Sequence, residues 1–262
     1  MLVTGGSSGI GKAICKHLAL KGYSVLGTSR TPEKHADSGV ELISLDVTNE
    51  VSISELSGLV AKKLGGIDIL INNAGIGFMG PIEMSKPEHV KQAWETNVYG
   101  VMRTTQHLLP LLKKSNGARI LNIGSIGGKT GLPYRGWYSA AKGSLEILGE
   151  SLSIELKPFN IQVCTVLPGD VNTQIAKSRL ELTENELGEY KESYAKMKSI
   201  LEKEMKSAIS PDAVAKTVLK LLQKKNMPLK RVSGSTLHKL TPIIKNVLPQ
   251  KWFQRLIIKH YS

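Results

Sequence analysis

Short, continuously apolar runs alternate along the chain with longer stretches in which apolar residues recur every three or four positions. The runs at 1–4 "MLVT", 24–28 "SVLGT", 40–45 "VELISL", 68–72 "DILIN", 118–123 "ARILNI" and 161–167 "IQVCTVL" read as strands, with 230–233 "KRVS" a weaker seventh. Most are apolar at successive positions rather than at alternate ones, which predicts a sheet covered by helices on both faces. The helical period occupies 9–21, 50–64, 86–115, 136–157, 174–206 and 211–225. This strand–helix alternation predicts an α/β fold: a doubly wound parallel sheet of about seven strands with right-handed crossovers. No repeat or low-complexity linker interrupts it, and 262 residues suffice for one large core. One α/β domain is therefore expected over 1–235, followed by a C-terminal extension at 236–262.

Two helix starts are marked. Thr183 and Glu186 have capping-box spacing, and Ser210-Pro211 sets a hydroxyl before a proline at the first helical position. The segment 174–207 is too charged for core, yet Leu180, Leu182, Leu187, Tyr190, Tyr194, Met197, Leu201 and Met205 recur at threes and fours. That pattern suits a helical flap over a cleft.

Charge changes this picture at one end only. The net charge is +13, but Asp212 is the last acidic residue, and 11 lysines and arginines follow it. The basic character thus belongs to the C-terminal fifth. A nucleic-acid binder with a basic face across the main fold is not expected. No apolar stretch reaches transmembrane length, and the chain opens directly on its first apolar run, so neither a spanning helix nor a cleavable leader is expected. Cys15 and Cys164 sit in apolar segments and read as buried thiols of a reducing compartment, with no disulfide or metal site. The expected location is cytoplasmic, with peripheral membrane contact left open.

The candidate chemistry begins at "TGGSSGIG" (4–11), which follows the first strand and opens a helix. Glycines there permit a tight turn and close approach of backbone amides to a pyrophosphate, and the helix N-terminus favours its charge. An NAD site would place a carboxylate at the end of the second strand to hold the ribose 2′-hydroxyl. This chain has Ser29 there and Arg30 next. A guanidinium pairs with a 2′-phosphate that a carboxylate would repel, so NADP(H) is favoured over NAD(H). Further along, Tyr138 and Lys142 in "YSAAK" lie one helical turn apart. Spacing alone does not single them out, because Tyr194 and Lys198 repeat it; that second pair reads as a solvated helix face.

Taken in order, TGxxxGxG, "NNAG" and YxxxK resemble the short-chain dehydrogenase/reductase family, whose pattern residues 1–235 follow. The resemblance implies a single-domain Rossmann fold and a nicotinamide-dependent oxidoreductase. It implies cofactor contacts from Gly5, Ser7, Ser8, Gly9, Ile10 and Gly11 in the first loop and from Ser29 and Arg30 after the second strand. Asp46 and Val47 in "LDVT" would lie at the adenine, and Asn73, Ala74 and Gly75 beside the cofactor. Pro168, Gly169, Val171 and Thr173 in "PGDVNT" would close over the nicotinamide. Asn97, Ser125, Tyr138 and Lys142 match the family's catalytic positions, Asn97 by holding a water that links Lys142 to solvent. The chemistry agrees: a tyrosine of pKa about 10 is a poor match to neutral pH, and a neighbouring cation, with the positive ring of the oxidised cofactor, lowers it by favouring the phenolate. Lys142 is placed for that and for the nicotinamide ribose, and Ser125 for a hydrogen bond to the substrate oxygen. The first strand is short for the family, with three residues before Thr4. A homodimer or homotetramer follows from family habit.

Substrate contacts are expected from Phe78, Met79, Leu132, Tyr134 and Trp137, and from Ile175, Leu180, Leu182 and Met197 of the flap, each with a core reading beside it. The apolar lining favours a lipid-, steroid-, retinoid- or aryl-like ketone or alcohol. In the tail, a helix from Pro249 would put Trp252, Phe253, Leu256, Ile257 and Tyr261 on one broad side and Lys251, Arg255 and Lys259 opposite. Such a helix can lie at an anionic membrane surface, but packing on its own domain or on a subunit partner is the favoured expectation. More loosely, the chain is similar to the family branch with 17β-hydroxysteroid and retinol dehydrogenases and acyl-dihydroxyacetone-phosphate reductases. Two other readings are weighed. A sugar-nucleotide epimerase or dehydratase would have a shorter glycine spacing and a larger C-terminal domain. A redox sensor that holds NADP(H) without turnover would lack Tyr138 or Lys142.

Overall fold

The structure, a computed structural model, describes residues 1–173 and 179–261, apart from the side chains of Ala36 and Asp37. The seven predicted strands form one parallel sheet: β1 (Leu2–Val3), β2 (Leu26–Ser29), β3 (Glu41–Ser44), β4 (Ile69–Asn72), β6 (Arg119–Ile123), β7 (Gln162–Pro168) and β9 (Lys230–Ser233). Their spatial order is β3-β2-β1-β4-β6-β7-β9. The order reverses between β1 and β4, and in such sheets the crevice at the carboxyl ends of the strands on either side of that reversal receives the ligand.

Successive strand residues point to opposite faces, and the burial follows that period. Leu2, Leu70 and Ile120 join one core cluster with Ile53, Leu56, Val60 and Leu108; their neighbours Val3, Ile71 and Leu121 join the other, with Ile14, Leu18, Val214 and Val218. The first face is thus covered by α2 (Glu50–Ser54), α3 (Leu56–Leu64) and α5 (Gly100–Leu112), the second by α1 (Gly9–Ala19) and α8 (Pro211–Leu222). Cys15 and Cys164 are both buried in the second cluster, as their sequence context predicts.

Several expectations are corrected. The stretch 86–115 is not one helix: α4 (Pro87–Trp94) runs into a π-helical turn (Glu95–Tyr99) before α5. The helix expected at 50–64 breaks at Glu55 into α2 and α3. The Ser210 side chain makes no capping hydrogen bond, although Pro211 does occupy the first turn of α8. Thr183 and Glu186 do pair, through Thr183 N and Oγ1 to Glu186 Oε2 at 2.7 Å each, but they open a 3₁₀ turn rather than a long helix.

The flap differs most. Ile175 lies outside the described residues. Beyond them come β8 (Leu180–Glu181), paired in parallel with β5 (Phe78–Met79), two 3₁₀ turns and α7 (Lys191–Lys206). Leu182, Leu187, Tyr194, Met197 and Leu201 bury one another against Met79, a small core separate from the two at the sheet. Tyr194 is therefore not on a solvated face. Its ring packs edge-on to Tyr134 at 5.4 Å, while Lys198 pairs with Glu181 at 2.6 Å. The flap folds because its apolar stripe finds Met79 and Tyr134, not because the chain can cover it locally. Two helices close the chain, α9 (Thr236–Val247) and α10 (Gln250–Tyr261). On α10 the expected broad apolar side divides: Phe253 is buried and Ile257 and Tyr261 are half-buried, while Trp252 and Leu256 face outward.

Candidate active site

Loops at the carboxyl ends of β1, β2, β4, β6 and β7 bring nearly all of the predicted residues to one edge of the sheet. The glycine loop is held rigidly. Gly5 N donates to Thr28 Oγ1 (3.2 Å) and Gly6 N to Thr28 O (2.8 Å). From the other side, Asn73 N and Ala74 N donate to Thr4 Oγ1 at 2.9 and 3.0 Å, and Asn73 Nδ2 donates to Thr4 O (3.0 Å) and Gly5 O (3.2 Å). "NNAG" is thus the brace of the glycine loop. Its Asn72 crosses the sheet to Thr105 Oγ1 and Asn122 Oδ1. Gly5 and Gly9 have φ of +63° and +50°, a region that side chains disfavour. At Gly11 a Cβ would lie 2.1 Å from Gly5 O, so α1 starts against the loop with no room for a methyl.

This cradle fits a dinucleotide. Ser8 caps α1 without a side-chain hydrogen bond, and no acidic residue of the helix sits in its first turn, which leaves the amide dipoles there suited to an anion. Ser7, Ile10 and Gly11 lie in the same turn, and Thr173 meets the loop at Gly9. Ser29 ends β2 and is buried, accepting from Thr31 N at 3.2 Å, while Arg30 beside it is exposed. Asp46 turns its carboxylate onto Thr48 N and Oγ1 (2.9 and 2.7 Å), and Val47 packs against Gly100 of α5.

Asn97 is fully buried in the π-helical turn, where it pairs both ways with one residue: Nδ2 donates to Ile76 O (2.9 Å) and Oδ1 accepts from Ile76 N (3.1 Å). Lys142 is buried in α6 (Gly136–Glu155), its Nζ donating to Ile123 O at 3.0 Å. Gly75 separates the two. A Cβ there would lie 2.8 Å from Asn97 Oδ1 and 3.4 Å from Lys142 Nζ. Ser125 Oγ accepts from Gly127 N (3.0 Å) and hydrogen-bonds Tyr138. The turn after Ser125 presses on α6, since a Cβ on Gly128 would lie 2.7 Å from Gly143 N. Packing therefore gathers Asn97, Ser125, Tyr138 and Lys142 from three separate elements.

The electrostatics add burial, which the sequence does not report. Burial pushes the Tyr138 phenol above its usual value; the Ser125 hydrogen bond and the nearby Arg135 and Arg179 guanidinium groups pull it down, and Asp170 pushes it up. Burial also brings Lys142 down to about 8, because its ammonium is removed from water with only a carbonyl for partner.

On the substrate side Phe78, Met79, Leu182 and Met197 are buried structural residues of the flap and its small sheet. Leu132, Tyr134, Trp137 and Leu180 remain half-buried, Leu132 close to Gly127 between Ser125 and Tyr138. Sequence reasoning missed Arg135, Asp170 and Arg179 around Tyr138. Arg179 sits against Gly77, on Met79 Sδ (3.1 Å) and Glu181 Oε1 (3.2 Å). Asp170, in the turn after β7, meets His238 of α9 at 3.3 Å. Nothing local in the sequence announces these contacts.

A family model described as short chain dehydrogenase matches residues 1–183. The chain is 37% identical to the 3-ketodihydrosphingosine reductase of Bacteroides thetaiotaomicron, over 100% of this chain and 97% of that protein. Among solved structures, a short-chain dehydrogenase from Streptomyces avermitilis superposes with a TM-score of 0.84 at 29% identity, covering 100% of this chain and 98% of that one. A 3-ketoacyl-(acyl-carrier-protein) reductase from Brucella melitensis complexed with NADH gives 0.72 at 27% identity (89% and 96% covered). A short-chain dehydrogenase from Burkholderia cenocepacia in complex with NADP gives 0.78 at 25% identity (97% and 95% covered).

Proposed function

The chain belongs to the short-chain dehydrogenase family and is an oxidoreductase on CH–OH and C=O groups; from that premise we propose that it is an NADP(H)-dependent reductase of a lipid-like ketone, with Tyr138 as the proton donor. The observation that carries this reading is the convergence of Ser125, Tyr138, Lys142 and Asn97 beside the glycine cradle. When bound, the nicotinamide supplies or accepts the hydride. Ser125 Oγ and the Tyr138 hydroxyl hold the substrate oxygen, and Tyr138 delivers its proton as that oxygen gains negative charge. Lys142 and Asn97, which face each other across Gly75, are assigned the resupply of that proton. The lipid-like substrate is supported by the half-buried apolar side chains at 132–137 and by the named activity of the Bacteroides relative.

The preference for the phosphorylated cofactor rests on Ser29 and the exposed Arg30 at the end of β2, where no carboxylate stands. Arg30→Asp is expected to raise KM for NADPH by roughly 10- to 100-fold, the scale of one or two charge-assisted hydrogen bonds, and to leave NADH nearly unchanged. Equal changes for both cofactors, in steady-state kinetics at one salt concentration, would refute the assignment.

The tail is read as a peripheral membrane contact. Among the described residues no helix is long and apolar enough to cross a membrane. Yet α9 exposes Leu237, Leu240, Ile243 and Val247, and α10 exposes Trp252, Leu256 and Ile258, among cations and without one carboxylate. A second copy would set like charge against like; anionic lipid would not. Trp94 and Trp137 have buried indole nitrogens whereas Trp252 is 63% exposed, so tryptophan emission reports on the tail. Vesicles containing phosphatidylglycerol should shift it to the blue at low salt, and phosphatidylcholine vesicles should not. No shift with either, or an equal shift with both, sinks this reading. A homodimer or homotetramer is the expected assembly, to be weighed by sedimentation.

A further inference from the structure

The last residues of the chain reach the neighbourhood of Tyr138. At the end of α10, the Tyr261 hydroxyl accepts a hydrogen bond from Arg135 Nη2 at 3.1 Å. Its ring packs against the flap core, and the neighbouring His260 meets Glu204 of α7 at 2.6 Å. Phe253, one turn from the start of α10, is buried. From α9, the His238 ring lies so closely on the turn after β7 that a Cβ on Gly169 would come within 2.4 Å of it. The C-terminal helices therefore grip the substrate side at two points, the flap and the nicotinamide turn.

Arg135 is what they hold. It is the residue before α6, three before Tyr138, and its charge is felt at the Tyr138 phenol. The two other charged groups close to that phenol have protein partners: Arg179 has Glu181, and Asp170 has His238. Arg135 has a neutral phenol at Nη2, and its Nε–H is buried with no acceptor among the described residues. A buried donor of a charged group left without an acceptor is costly, and such a group beside a reacting centre is a ready reader of substrate oxygen.

We propose that Arg135, oriented by Tyr261, is a specificity-determining residue that donates Nε–H to a second oxygen of the substrate, a hydroxyl or carbonyl a few atoms from the reacting ketone. This rests on the reductase reading above and deepens it. It makes the substrate an oxygenated lipid ketone rather than a plain hydrocarbon ketone. It also gives the C-terminal helix a part in selecting it.

The test compares two probes with NADPH: a medium-chain 3-oxo methyl ester and the ketone of equal chain length without the ester. The reading is the ratio of their kcat/KM values. In Arg135→Met that ratio should fall roughly 10- to 100-fold, the range expected when a hydrogen bond to a charged donor is lost. Tyr261→Phe, which keeps the ring packing, should lower it less, by several-fold, and mainly through KM of the ester. An unchanged ratio in both variants overturns the proposal while leaving the reductase reading intact. Failure of the unmodified protein to reduce either probe overturns both.

Discussion

Tyr138→Phe is expected to lower kcat about a thousandfold, within the range that positioned proton transfer contributes, while NADPH binding stays within a few-fold of the unmodified protein. The substitution removes one oxygen. Ser125 Oγ keeps its bond from Gly127 N, and the ring keeps its place in α6, so the fold has little reason to change. Fluorescence titration with NADPH and single-turnover reduction of a ketone separate the two effects. Because burial raises the Tyr138 phenol, it is protonated at neutral pH and ready to donate. Reduction should accordingly be steady in neutral solution and fall as the pH rises through about 8, where the Lys142 ammonium releases its proton. The matching control is Lys198→Met. Lys198 shares the spacing but pairs with Glu181 in the flap, so its loss should change the chemical step by no more than about twofold. If Tyr138→Phe turns over normally, Tyr138 is not the donor.

These two tyrosine–lysine pairs show what the chain makes legible. The sheet was readable because each strand is a compact apolar run between helical periods, a signal carried by neighbouring residues. The glycine loop, Asn97, Ser125, Tyr138 and Lys142 were readable because each stands in a local motif. What surrounds them was not. Arg135 meets Tyr261 across 126 residues and Asp170 meets His238 across 68, and no local period encodes such a meeting. The burial of Tyr194 depends on Met79 and Tyr134 arriving from elsewhere, so composition alone marked its helix as solvated. The π-helical turn at Glu95–Tyr99 hides inside a continuous helical period, although it is what turns Asn97 onto Ile76. Spacing also suggested that Lys142 sets the acidity of Tyr138. Burial, which spacing does not report, acts on both groups as well, raising the Tyr138 phenol and lowering Lys142.

Lys142 carries the second large effect, and its sign in stability is opposite to its sign in activity. Lys142→Met should cut turnover by at least about a hundredfold, because the ammonium behind Tyr138 is gone. The same variant should be more stable than the unmodified protein at pH 7. Burial takes Lys142 from its usual 10.5 to about 8, so the folded chain releases its proton more readily than the unfolded chain does. Below pH 8 both states are charged, and the folded state bears the full desolvation penalty. Between about pH 8 and 10.5 the unfolded state binds more protons, so stability rises with pH, and above 10.5 the penalty has vanished. Methionine removes the buried charge but also the bond to Ile123 O, which leaves a net gain on the order of 2 kcal/mol at pH 7. For a chain of this size that is a rise of roughly 5 °C in Tm. Thermal unfolding at pH 7 and at pH 10 separates this from ordinary repacking: the gain should shrink toward zero at the higher pH. A variant less stable at pH 7, or equally stabilised at both, would mean that the ammonium is not held against a desolvation penalty. On the proposed reading of Lys142 the penalty is the cost of its part in the reaction, the usual form of a trade between activity and stability.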